Sequence, residues 1–197
     1  MKNSITSNSI DKTSTVRRVV LASLLGLTLA ASAASLLKTD PAQTSVSATF
    51  RQMNVPVESK FRKYTIAIDY DAAKPDASKA TVEVDTASLD MGDKDYNAEV
   101  AKKEWFNAAQ FPKATFVSTA IKPAGPGKLN VAGKLTIKGK TADVSFPMTV
   151  KTEGAKQVFD GAVPIKRLAF NIGEGEWKDT SMVADDVTIK FHVTAVH

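Results

Sequence analysis

The stretch "DVTIKFHVTAV", residues 186–196, decides the fold. Val187, Ile189, Phe191, Val193 and Ala195 alternate along it with Thr188, Lys190, His192 and Thr194. A period of two puts the first set on one face of an extended chain and the second set on the other. One dry face and one wet face is the pattern of an antiparallel strand packed on one side only.

The same alternation recurs toward the N-terminus. "VFDGAVPI" contributes Phe159, Gly161, Val163 and Ile165, and "VSFPMTV" contributes Val144, Phe146, Met148 and Val150. "KLNVAGKLTIKG" gives Leu129, Val131, Leu135 and Ile137, and "ATVEVD" gives Val82 and Val84. "YTIAIDY" sets Tyr64, Ile66, Ile68 and Tyr70 on one face, and "SVSATF" sets Val46, Ala48 and Phe50. Turn-forming stretches ("TEGAK", "KGK", "KPAGPGK", "DAAKPDAS") separate these runs. Short strands with hairpin punctuation predict an all-β sandwich or barrel of about eight strands. Eight strands enclose just enough space to fill with side chains or to hold one small ligand. Periodicity alone does not choose between the two.

Two features depart from the pattern. "DYNAEVAKKEWFNAAQFP" lacks alternation and spaces Val100, Trp105, Phe106 and Phe111 helically. It predicts a short helical segment near residues 96–109, stopped by Pro112 and lying over an end of the sheet. Pro147 and Pro164 fall inside strand runs. Proline has no N–H for a ladder, so each belongs at a bulge or an unpaired edge. The ladder is expected to be weakest there, with a gap for ligand entry beside those strands as the hypothesis.

The first 33 residues look like an address. A polar stretch ends in Arg17-Arg18, and an uncharged apolar run leads to Ala31 and Ala33 in an A-x-A arrangement. This predicts a cleavable signal peptide over 1–33, a short linker over 34–43 and a domain over 44–197. An uncleaved anchor is the rival, and the arginine pair leaves export by the general or the twin-arginine route open. The leader carries four of the 26 basic residues and one of the 21 acidic ones, leaving 22 against 20 in the remainder. No basic stripe survives, so nucleic acid is not an expected partner. The chain has no cysteine, which excludes thiol catalysis and thiolate metal sites.

Catalytic and metal chemistry find little support. The two histidines are His192, on the wet face of the last strand, and the terminal His197. Neither suits a nucleophile–histidine–carboxylate system or zinc. "LDMGDKDY" and "MVADDV" lack the spacing of a calcium loop. Gly173 and Gly175 in "IGEGEW" follow a strand run, but no helix pattern comes after them, and Glu174 and Glu176 would repel phosphate. That glycine pair is expected to be a turn.

Several of these stretches together resemble the YceI-like family. They are "RQMNVPVESKF", "EWFNAAQFPKATFVSTAI", "GKLTIKGKTADVSFPMTV" and "PIKRLAFNIGEGEWKDTSMVADDVTIKF", in the family's order and from about Ser45 onward. The resemblance implies an extended eight-stranded antiparallel lipocalin-like barrel, exported to the periplasm, that holds a polyisoprenoid or isoprenoid-quinone lipid and needs no cofactor besides that lipid. Ala169 and Ser59 depart from the family pattern, where an acidic residue and a glycine are common.

Phase and resemblance agree on where a lipid tail would lie. Phe50, Phe61, Tyr64, Ile66 and Ile68 are inward candidates from the first strands. Phe116, Leu135, Ile137, Phe146 and Met148 follow in the middle of the chain. Phe159, Val163, Phe170, Ile189 and Phe191 complete the set. Arg167 and Trp177 are candidates for the polar end of the ligand, with an ion pair to Asp179 or Asp185 as the competing role for Arg167 and rim packing for Trp177. No general acid or base falls on the apolar phases except Tyr64 and Tyr70, so the expectation is not an enzyme. The expected role is a carrier or sequestering protein with transient membrane contact. A filled interaction or stress-response module and an accessory to membrane electron transfer are the alternatives. A homodimer stays open.

Overall fold

The computed structural model describes residues 36–196. The predicted signal peptide and His197 lie outside the described residues. Among the described residues, eleven strands form one antiparallel sheet. They are β1 (Leu36–Thr39), β2 (Ser45–Gln52), β3 (Val55–Phe61), β4 (Tyr64–Asp69), β5 (Lys79–Asp85), β6 (Leu89–Asp90), β7 (Lys113–Pro123), β8 (Lys128–Ile137), β9 (Lys140–Glu153), β10 (Lys156–Lys166) and β11 (Val183–Val196).

The pairing reduces these to eight staves. β1 and β2 run successively along β11, interrupted by the turn Pro41–Gln43. β3 and β4 run antiparallel to that pair, with a break at Arg62-Lys63. β5 and β6 follow them, with a break at Thr86–Ser88. Every later stave is one strand, each hydrogen-bonded to the next in chain order, and β1 on β11 closes the ring. The result is a closed up-and-down barrel of eight strands. Such breaks let a strongly coiled sheet bend without losing its ladder.

Residues 36–39, expected as linker, are part of the barrel. Leu36 and Leu37 pair with Asp69 and Ile68, and Leu37 is buried. A four-residue strand ending before a proline turn is too short to show its period. The helix also differs from expectation. α1 spans Lys94–Val100, begun by the Asp93 side chain accepting from the Asp95 and Tyr96 amides, and irregular turns replace it through residue 110.

Both interior prolines sit where the ladder fails. β9 and β10 pair from Glu153 opposite Lys156 as far as Met148 opposite Gly161, and the pairing ends there. Pro147 comes next on β9, and Pro164 lies three residues further along β10. From this point the two strands are paired only with their other neighbours, β8 and β11. The loop after β10 fills the split. Its Phe170 and Ile172 are buried and share an apolar cluster with Leu135 and Ile137.

Candidate functional site

The barrel is hollow. A cavity of about 290 Å³ runs inside it, lined from Tyr70, Phe159 and Val193 at one end to Gln52, Tyr96 and Glu99 at the other. Its walls come from the dry phases of the strands: Val46, Ala48 and Phe50 of β2, Ile66 and Ile68 of β4, and Val187, Ile189 and Phe191 of β11. On β11 the lining extends from Val183 to Val193, roughly 33 Å of strand at the usual rise.

A belt of three rings crosses this space. Phe146 stands 5.6 Å from Phe116 and 5.8 Å from Phe191, centroid to centroid. Glycines make room for the outer two. A Cβ on Gly133 would fall 2.4 Å from the Phe116 ring, and one on Gly161 would fall 2.3 Å from the Phe191 ring. Gly161 is the direct cross-strand partner of Phe191, so the ring lies over bare backbone.

The far end is built by α1, the turns that follow it and the loop between β10 and β11. Tyr96 and Val100, one helical turn apart, both line the cavity, joined by Glu99, Trp105 and Phe106. Lys138, in the β8–β9 turn, is buried and ties the parts together. Its ammonium donates to the Lys103 and Asn171 carbonyls at 2.7 Å and to Glu174 Oε2 at 2.9 Å. That contact holds the Glu174 carboxyl below its ordinary range. The Glu104 carbonyl accepts from the Gly173 and Glu174 amides, latching the two covering segments to each other.

Arg167 organises the loop. It is 2% exposed, and all five of its N–H groups donate to backbone carbonyls. Nε reaches Ala184, Nη1 reaches Ile172 and Gly173, and Nη2 reaches Trp177 and Val183, at 2.6–3.3 Å. Arg167 lines the polar end of the cavity, but the ion pair with Asp179 or Asp185 is not made. Asp185 accepts from the Leu168 amide instead, and Asp179 from the Ser181 amide. Burial lowers the Arg167 pKa, and the nearby Asp185 charge opposes that shift. The glycine pair is the expected turn: Gly173 and Gly175 have φ of +79° and +67°.

Of the predicted inward residues, all but Tyr64 and Phe170 line the cavity. Tyr64 follows the β3–β4 break, and its hydroxyl donates to the Thr44 carbonyl at 2.6 Å, bridging two staves. Phe170 belongs to the turn Arg167–Phe170, where the period of two no longer applies. Trp177 lines the cavity rim with its ring 5.2 Å from that of Trp105. The sequence reading missed Tyr96, Glu99 and Trp105 as cavity residues. The i, i+4 spacing of Tyr96 and Val100 was their one signal. His192 faces outward, with Nδ1 2.6 Å from Asp160 Oδ1.

Comparison with known proteins agrees with this geometry. The YceI-like domain pattern matches residues 37–195. A UPF0312 protein of Shewanella sp. (strain W3-18-1) is 30% identical over 145 residues, 71% of this chain and 76% of its own. One from Pseudomonas fluorescens (strain SBW25) is 38% identical over 98 residues, and the match spans about half of each chain. Among solved structures, BcnA of Burkholderia cenocepacia superposes with a TM-score of 0.79 at 55% identity, covering 81% of this chain and all of its own. A polyisoprenoid-binding domain from Saccharophagus degradans shares the fold, with a TM-score of 0.63 at 14% identity over 83% of this chain and 98% of its own. The domain pattern spans most of the chain and the Shewanella relative is matched over 76% of its length, so the chain belongs to the YceI-like family.

Proposed function

We propose that the protein is an exported, non-enzymatic carrier that holds one long-chain isoprenoid lipid, a polyprenol or isoprenoid quinone, in the barrel and works in the periplasm. The observation that carries this reading is the wall of the cavity, apolar along most of its length with most of its polar side chains at one end. The polyisoprenoid-binding neighbour points the same way. A filled interaction module is disfavoured by the cavity itself.

Energetics favour exchange over storage. Moving tens of carbons out of water at ~0.8 kcal/mol per methylene would exceed the affinity any complex reaches. The cargo comes from a bilayer, where its tail is already dry, so tail burial is nearly neutral. Selectivity then rests on cavity length and on the polar end. Transient membrane contact completes the reading, and exposed Met53, Val55, Met182 and Tyr96 at the far end suit it.

The test is mass spectrometry of the protein isolated gently from cells, followed by organic extraction. A stoichiometric isoprenoid is expected. Empty protein that also refuses added polyprenols and quinones would overturn the carrier reading.

A further inference from the structure

We infer that the cavity selects isoprenoids whose polar end is uncharged and discriminates against those ending in phosphate. The inference rests on the carrier reading above and concerns the same site.

The cavity fixes which way an amphiphile lies. Gln52, Tyr96, Glu99, Trp105, Arg167 and Trp177 sit at the α1 end, while the rest of the wall offers only Thr115 and, at the opposite end, Tyr70. A polar head therefore belongs at the α1 end. A phosphate there needs cations to balance its charge. Among the described residues, Arg167 is the one cation on the wall, and each of its N–H groups is already given to a backbone carbonyl. Lys138, buried behind the same end, is likewise committed to two carbonyls and the Glu174 carboxylate.

What a phosphate meets instead is an acid. Glu99 lines the cavity with its side chain 32% exposed, and its partner Lys102, 2.5 Å away, is 60% exposed on the solvent side. Like charges repel more strongly beside an apolar wall than in open water. A neutral oxygen meets the opposite situation. The Trp105 indole nitrogen is buried with no hydrogen-bond partner among the described residues. Its ring is held 5.2 Å from Trp177, with the Arg167 guanidinium carbon 5.8 Å from its centroid. A buried donor left unpaired is costly, and a hydroxyl or carbonyl oxygen at the end of the cargo is the acceptor that relieves it.

The experiment compares equilibrium binding of three tail-bearing probes in one detergent: a polyprenol, its monophosphate of equal chain length, and squalene, which has no polar end. The alcohol is expected to bind about tenfold or more tighter than the monophosphate. Glu99→Lys is expected to raise monophosphate affinity relative to the alcohol, and Trp105→Phe to lower affinity for the alcohol more than for squalene. Equal binding of alcohol and monophosphate, or a ratio that Glu99→Lys leaves in place, would overturn this inference while leaving the carrier reading intact. Failure of all three probes to bind would overturn both. Squalene binding by each variant shows that it has folded, and Glu99→Lys tests the charge argument even if the Trp105 variant does not fold.

Discussion

Arg167 and Gly173 act as one unit. The guanidinium lies so close to the Gly173 backbone that a Cβ there would fall 2.1 Å from Nη1, and Gly173 also has a left-handed φ of +79°. Arg167→Lys supplies at most three donors where five are used, leaving buried carbonyls unpaired. It should cost about 2–4 kcal/mol of stability. Gly173→Ala combines strain and collision and should cost about 2–3 kcal/mol. Because both changes dismantle the same network, the double variant should be less destabilised than the two costs together, by about 1 kcal/mol or more. Urea denaturation of the four proteins measures this, and simple additivity would mean that the loop is held by something else. The role of Arg167 was not legible in the sequence, since its partners are backbone carbonyls of residues 172–184 and a carbonyl leaves no trace in side-chain identity.

At the scale of elements, the long strands were legible because period two is a local property. Val187 through Ala195 reports its own dry face whatever lies next to it. The staves broken at residues 41–43, 62–63 and 86–88 were not legible, because a register slip answers to barrel curvature rather than to neighbours in sequence. The prolines were an exception, since a missing N–H is both a residue property and a ladder property. The β9–β10 pairing stops one residue before Pro147. Pro147→Val and Pro164→Val restore the donor and should extend the ladder toward the loop. Exchange of bound lipid, followed by stopped-flow transfer between protein and vesicles, should slow severalfold; unchanged exchange would place the entry route elsewhere. The Lys138–Glu174 contact makes a second prediction for the covering loop. Glu174 titrates below its unfolded value of 4.5, so its contribution is complete above about pH 4.5 and is lost as pH falls toward the folded value. Amide exchange at Gly173 and Glu174, corrected for intrinsic rates, should rise on acidification through that window. Glu174→Gln should abolish the step, and an acid transition that persists in the variant would assign it to another carboxylate.

For the whole molecule, the exposed tip of the β2–β3 hairpin sets stability against the proposed membrane contact. Its two turn residues, Met53 and Asn54, have φ of +45° and +64°, the twist that a two-residue hairpin favours. Asparagine accepts that conformation readily, whereas a methionine there is strained. Nothing inside the fold compensates, since Met53 is 64% exposed. The tip is nevertheless held firmly, with Arg51 donating to the Asn54 carbonyl at 2.9 Å and the Met53 amide to the Met182 carbonyl at 2.8 Å. Met53 and Met182 adjoin Gln52 and Val183, a cross-strand pair that lines the cavity, so apolar side chains project where the cargo would leave or enter. Partial burial of such side chains in a bilayer would contribute about 1–2 kcal/mol each, enough to hold the barrel briefly at the surface. Met53→Asn therefore separates the two demands. It should raise the unfolding free energy by about 0.5–1 kcal/mol by relieving the turn. It should also slow lipid transfer from vesicles about tenfold while leaving uptake from detergent alone. A variant that is more stable and transfers lipid at the original rate would show that the methionine serves something other than membrane contact.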